Sequence, residues 1–127
     1  MNSKRCKDLM TRDVKFCLPE DTAFQAARMM DVDQVGALPV VEDMESQKLT
    51  GILTDRDLAM RVTASGADPK KVRVHDIMSG TPISCRPEDE IARAVHAMSE
   101  FKVRRLPVVD STSRLMGILS RSDLEPA

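Results

Sequence analysis

Leu38-Pro39-Val40-Val41 returns as Leu106-Pro107-Val108-Val109, 68 positions further along, and this recurrence organises the rest of the chain. Toward the N-terminus the same spacing relates Asp8-Leu9-Met10 to Asp76-Ile77-Met78, Cys17 to Cys85, Pro19-Glu20-Asp21 to Pro87-Glu88-Asp89, and Met30 to Met98. Toward the C-terminus the offset falls to 66, where Gly51-Ile52-Leu53-Thr54 matches Gly117-Ile118-Leu119-Ser120 and Asp57-Leu58 matches Asp123-Leu124. Two residues are therefore missing from one loop of the second copy. Its longer version, Glu42 to Lys48, is polar, as a hairpin connection should be. The chain divides into repeats over 1–68 and 69–127, joined through the turn-forming, polar stretch 66–71.

Each copy predicts the same order of elements. Val14 to Cys17 and Pro82 to Cys85 are short strand candidates, ended by Pro19 and Pro87. Thr22 to Asp31 carries Ala23, Ala26, Ala27 and Met30 at helical spacing, matched by Ile91, Ala94, Val95 and Met98. Asp21 or Thr22, and Asp89 in the second copy, are candidate N-caps. The Leu-Pro-Val-Val blocks and the runs Leu49–Leu53 and Leu115–Leu119 are short and rich in branched residues, which predicts strands buried on both faces. Asp55 to Thr63 reads as a closing helix, its counterpart cut short by Pro126. The fold class is therefore α/β (α+β), strand, helix, strand, strand, helix, with one sheet face in each copy left for the other copy to cover.

Composition narrows the function. The 127 residues carry 19 basic and 20 acidic side chains, and the aromatic residues are three Phe, with neither Trp nor Tyr. A near-neutral chain with so few stacking surfaces makes nucleic acid an unlikely partner. No apolar run approaches the ~18 residues of a membrane span, and the first residues lack the apolar stretch of a signal peptide, so a cytoplasmic location is expected. Cys6, Cys17 and Cys85 are odd in number and contain no C-x-x-C pair, which argues against a disulfide framework or a zinc ribbon. His75 and His96 have no partners in a repeated motif, and no nucleophile, base and orienter recur together, so neither an enzyme nor a metal site is indicated.

What does recur is a hydroxyl three residues before a carboxylate at a strand-to-helix junction: Thr54 with Asp57, and Ser120 with Asp123. Such a pair can cap the helix, although a capping box prefers Glu or Gln at the third position. It can equally present N–H groups to a phosphate while the carboxylate accepts from a ribose diol. Spacing alone leaves both open.

Over residues 7–125 the chain resembles a tandem pair of CBS domains, a Bateman module, on three doubled marks: Asp-x-Met, Leu-Pro-Val-Val, and Gly-x-x-Thr/Ser-x-x-Asp. The resemblance implies two βαββα units packed sheet to sheet with pseudo-two-fold symmetry and two clefts between them. It further implies a non-catalytic regulatory module that binds an adenosine nucleotide (AMP, ADP or ATP) or S-adenosyl methionine, requires no cofactor, forms a homodimer and signals to a separate effector protein. Carried over residue by residue, Asp57 and Asp123 take ribose hydroxyls, and Thr54 and Ser120 approach the ribose or phosphate. The backbone at Lys15 meets the adenine in the Asp123 cleft and that at Ile83 in the Asp57 cleft. Arg104 and Arg105 face the phosphates, with Arg56, Arg61 and Arg121 as further sources of positive charge. The first copy has Gly36-Ala37 where the second has Arg104-Arg105, so unequal clefts are expected. Two alternatives stand beside this: a ligand-free scaffold that docks a protein partner, and a redox sensor using the equivalent residues Cys17 and Cys85.

Overall fold

A computed structural model describes residues 4–80 and 82–124. The elements run α1 (Cys6–Leu9), α2 (Ala23–Asp33), β1 (Ala37–Val41), β2 (Leu49–Thr54), α3 (Asp55–Leu58), α4 (Val74–Ile77), α5 (Ile91–Phe101), β3 (Arg105–Val109), β4 (Leu115–Ser120) and α6 (Arg121–Leu124). Alternating helices and two small antiparallel sheets give the mixed architecture that the doubled pattern predicts. No helix of the described residues is long and apolar enough to cross a membrane.

The chain forms two compact units, Lys15–Pro82 and Met1–Val14 with Ile83–Ala127. They group the residues differently from the sequence repeats, because each unit takes in the Asp-x-Met segment that leads into the other copy. In the Lys15–Pro82 unit, α4 is held by Val74 N–H to Asp21 O (2.8 Å) and His75 N–H to Pro19 O (3.0 Å). In the other unit, α1 is held by Cys6 N–H to Asp89 O and Lys7 N–H to Pro87 O, both 2.9 Å.

The doubled Gly and Met have one explanation. Ile52 pairs with Ser79, and Ile118 with Thr11, through isolated antiparallel bridges. That brings the following segment so close that a Cβ on Gly51 would lie 2.6 Å from Ser79 O and 2.8 Å from the Met78 sulfur. On Gly117 it would lie 2.7 Å from Thr11 O and 2.8 Å from the Met10 sulfur. Only glycine admits a backbone at that range.

The hairpins β1–β2 and β3–β4 share their register, Leu38 opposite Leu53 and Leu106 opposite Leu119, each with a bulge before its last pair. Leu38, Val40 and Leu53 join Ala23, Ala26, Met30, Val74 and Ile77 in one core, and Leu106, Val108 and Leu119 join Cys6, Met10, Ala94 and Met98 in the other. β1 and β3 are buried on both faces over four residues, but β2 and β4 alternate buried with half-buried positions, contrary to the uniform burial expected of them. In β2 this alternation leaves Thr50, Ile52 and Thr54 half-covered.

The first strand of each copy shrinks to a single parallel bridge, Cys17 with Val40 and Cys85 with Val108. Proline explains this correction. Cys17 N–H donates to Pro39 O and Val41 N–H donates to Cys17 O, but the next rung back would need an N–H from Pro39. Pro107 stops the second ladder in the same way.

Helix α2 is capped by Thr22, whose Oγ1 accepts from Gln25 N–H (3.1 Å) while Gln25 Oε1 accepts from Thr22 N–H (2.8 Å). Asp21 instead closes a turn by accepting from Leu18 N–H, and Asp89 does the same for Arg86 N–H. Asp89 is thus not the cap of α5; that position is Glu90, with no side-chain capping bond. Past α3 the predicted closing helix continues as a π-helical turn, Ala59–Thr63. Pro126 lies outside the described residues.

Candidate functional site

In both units the last residue of one strand, the first residues of the next helix and the residue leading into the paired strand meet at a corner. In the Lys15–Pro82 unit Ala37 lies across from Thr54, and Asp55 N–H donates to Gly36 O (2.9 Å). Thr54 N–H donates to Asp57 Oδ2 (2.9 Å), Thr54 Oγ1 to the same oxygen (3.0 Å), and Asp57 N–H to Thr54 Oγ1 (3.1 Å). A complete capping box therefore forms with Asp in the third position, where Glu or Gln is the preferred residue. Asp57 Oδ1 faces Arg61 Nε at 3.9 Å, and the Asp57 side chain is only 13% exposed.

The second corner has the same frame and different charge. Arg105 lies across from Ser120, and Arg121 N–H donates to Arg104 O (2.7 Å). Ser120 N–H donates to Asp123 Oδ2 at 3.2 Å, and Asp123 is exposed where Asp57 is half-buried. The backbone of Arg104, Arg105 and Arg121 thus meets that of Ser120 at this corner. At the equivalent places of the first corner stand Gly36, Ala37 and Asp55, and a Cβ on Gly36 would lie 3.0 Å from Asp55 Oδ2. Asp55 was not among the residues picked out of the sequence. Its signal was present in the 66-residue alignment of Asp55 with Arg121.

Of the remaining candidates, Lys15 is exposed and lines an open groove of about 360 Å³ with Arg28, Met29, Val32 and Asp33. It belongs to the unit of Thr54 and Asp57. Ile83 is half-buried against the core of the unit that carries Ser120 and Asp123. Among the described residues no three His, Cys, Asp or Glu side chains converge as a metal-binding group.

Cys17 lies in the core of one unit and Cys85 in that of the other. Burial, with a smaller contribution from Asp21, pushes the Cys17 thiol up to about 12. Burial also raises Cys85 and Cys6, which lie together in the core of one unit. The thiol neighbour of Cys85 within its unit is therefore Cys6.

The profile of the CBS domain matches residues 6–63 and again 74–125. The chain belongs to the CBS domain family. Relatives agree with the tandem arrangement. The CBS domain-containing protein YhcV of Bacillus subtilis is 41% identical over 118 residues, covering 93% of this chain and 81% of YhcV. A crystal structure of Hypoxic Response Protein I with two coordinated zinc ions superimposes with a TM-score of 0.86 at 30% identity, covering 95% of this chain and 96% of that one. The crystal structure of CBSX2 in complex with AMP has a TM-score of 0.82 at 26% identity over 95% and 93% of the two chains, and CBSX2 comes from Arabidopsis thaliana. Both CBS repeats of this chain thus carry the corner described above, within a fold shared with an AMP-binding protein.

Proposed function

We propose that this CBS pair is a non-catalytic regulatory module that takes an adenosine compound at its corners and passes the binding event to a separate effector protein. The observation that carries the proposal is the doubled Thr/Ser–Asp pair held at the mouth of a helix, Thr54–Asp57 and Ser120–Asp123. Each carboxylate commits Oδ2 to the backbone, and Oδ1, which in Asp57 faces Arg61, is the oxygen that accepts from hydroxyl donors such as a ribose diol. Arg104 and Arg105 supply cationic donors for the phosphate of AMP, ADP or ATP, a role suited to the planar fork of arginine. Lys15 and Ile83 contribute main-chain groups to adenine recognition. The module acts as a homodimer, the commonest closed symmetry of soluble proteins. Ligand signals by differing in affinity for two arrangements of the protein.

Thermal unfolding against AMP, ADP, ATP, S-adenosyl methionine and guanosine nucleotides tests this. A ligand at 100 times its dissociation constant adds about 2.7 kcal/mol, a shift of several degrees. Stabilisation confined to adenosine compounds and abolished by joint Asp57→Ala and Asp123→Ala substitution is the expected result.

A second reading, a ligand-free scaffold that docks a protein partner, is favoured by one specific observation. The Asp57 carboxylate is already satisfied by Thr54 and faced by Arg61. On that reading no adenosine compound shifts the melting temperature, and Asp57→Ala lowers stability alone.

A further inference from the structure

The two units differ at one core position in a way that changes their chemistry. Aligned on the 68-residue offset, Val74 and Cys17 of one unit correspond to Cys6 and Cys85 of the other. Val74 and Cys17 share an apolar core in which the Cys17 thiol donates to the Pro39 carbonyl at 3.8 Å, as the Cys85 thiol does to the Pro107 carbonyl at 3.8 Å. Cys6 and Cys85 share the equivalent core at 0% and 5% exposure, with Cys6 N–H bonded to Asp89 O four residues beyond Cys85. We propose that Cys6 and Cys85 are an oxidisable dithiol whose disulfide locks α1 onto the core of its unit, while Cys17 is an inert packing residue.

The chemistry needs a peroxide. Cys6 thiolate attacks one oxygen of hydrogen peroxide, giving the sulfenic acid of Cys6 and hydroxide, which takes up the proton that left the thiol. The sulfur of Cys85 then displaces the Cys6 hydroxyl, which leaves with the Cys85 proton as water. In total two thiols and one peroxide give one disulfide and two waters. Attack is assigned to Cys6 because it lies on α1, the element whose opening admits the peroxide. Access requires local opening of α1, a helix of 4 residues whose packing against the core holds the thiols away from solvent.

The test uses the full reduced chain, exposed to hydrogen peroxide and then alkylated under denaturing conditions. The expected product has lost two hydrogens, retains only Cys17 for alkylation, and yields a reducible peptide joining Cys6 to Cys85. Cys6→Val, which installs the residue the other unit carries there, leaves Cys85 unlinked, and Cys85→Ala leaves Cys6 unlinked. Hydrogen exchange at the α1 amides slows in the oxidised protein and recovers on reduction. Three alkylatable thiols after peroxide, a link through Cys17, or an unchanged exchange rate in linked protein overturns the proposal.

Discussion

The corner at Thr54 and the corner at Ser120 share strand register, helix entry and the hydroxyl–carboxylate pair, yet they differ in charge. One sets Asp55 against Gly36 and adds a half-buried Asp57. The other has an exposed Asp123 and brings Arg104, Arg105 and Arg121 together along the backbone beside Ser120. Duplicated backbone geometry thus carries different side-chain charge in the two copies. On the proposed reading, a phosphate is taken by the Arg104–Arg105 pair, where the first copy has Gly36-Ala37.

The largest expected effect asks whether the two frames are energetically equivalent. Leu53 and Leu119 are both fully buried at matched positions, so Leu53→Ala and Leu119→Ala should each cost about 2–5 kcal/mol in urea unfolding. Costs that differ by more than that range would break the equivalence of the units. Next, joint Arg104→Ala and Arg105→Ala substitution should weaken AMP binding by about 1.5–3 kcal/mol while leaving adenosine binding unchanged, measured by calorimetric titration. Equal losses for AMP and adenosine would show that the charge contrast does not select ligands.

The cores give a pH test. Cys17 is protonated in both states below the ordinary thiol value of 9.0, and its raised folded value of about 12 means that the folded state holds its proton longer. Stability is therefore fully present below pH 9 and falls as pH rises toward 12, approaching about 1.4 kcal/mol per pH unit from this group. Cys17→Val should flatten part of that decline in melting curves between pH 8.5 and 10.5. An unchanged decline would assign it to other groups. The smallest effect separates the caps. Thr54→Ala removes a complete box and should cost about 1 kcal/mol. If Thr54→Ala leaves the unfolding midpoint where it was, the box is not a stabilising contact.

Much of the fold is legible because duplication supplies an internal control. The strand pairs, the two long helices and the two Thr/Ser–Asp corners follow from residues that recur at offsets of 68 and 66, and the Thr22 cap follows from its place before the helical spacing of α2. Three features are hidden for physical reasons. Pro39 and Pro107 lie in apolar, branched runs that read as ordinary strands, but their missing N–H limits the preceding strand to one bridge. The Asp-x-Met segments are the same in both copies, so repetition alone cannot tell which core each one covers. Asp55 and Cys6 act through neighbours distant in sequence, Gly36 and Cys85, which become informative only once the backbone brings them together.

The central claim is that the Asp123 corner is an adenosine phosphate site. Calorimetric titration of AMP into the wild-type chain and into Asp123→Ala tests it most directly. Saturable binding to wild type that is lost in Asp123→Ala and retained in Asp57→Ala is the predicted result. Equal AMP affinity in wild type and Asp123→Ala, or no heat with either, would contradict it.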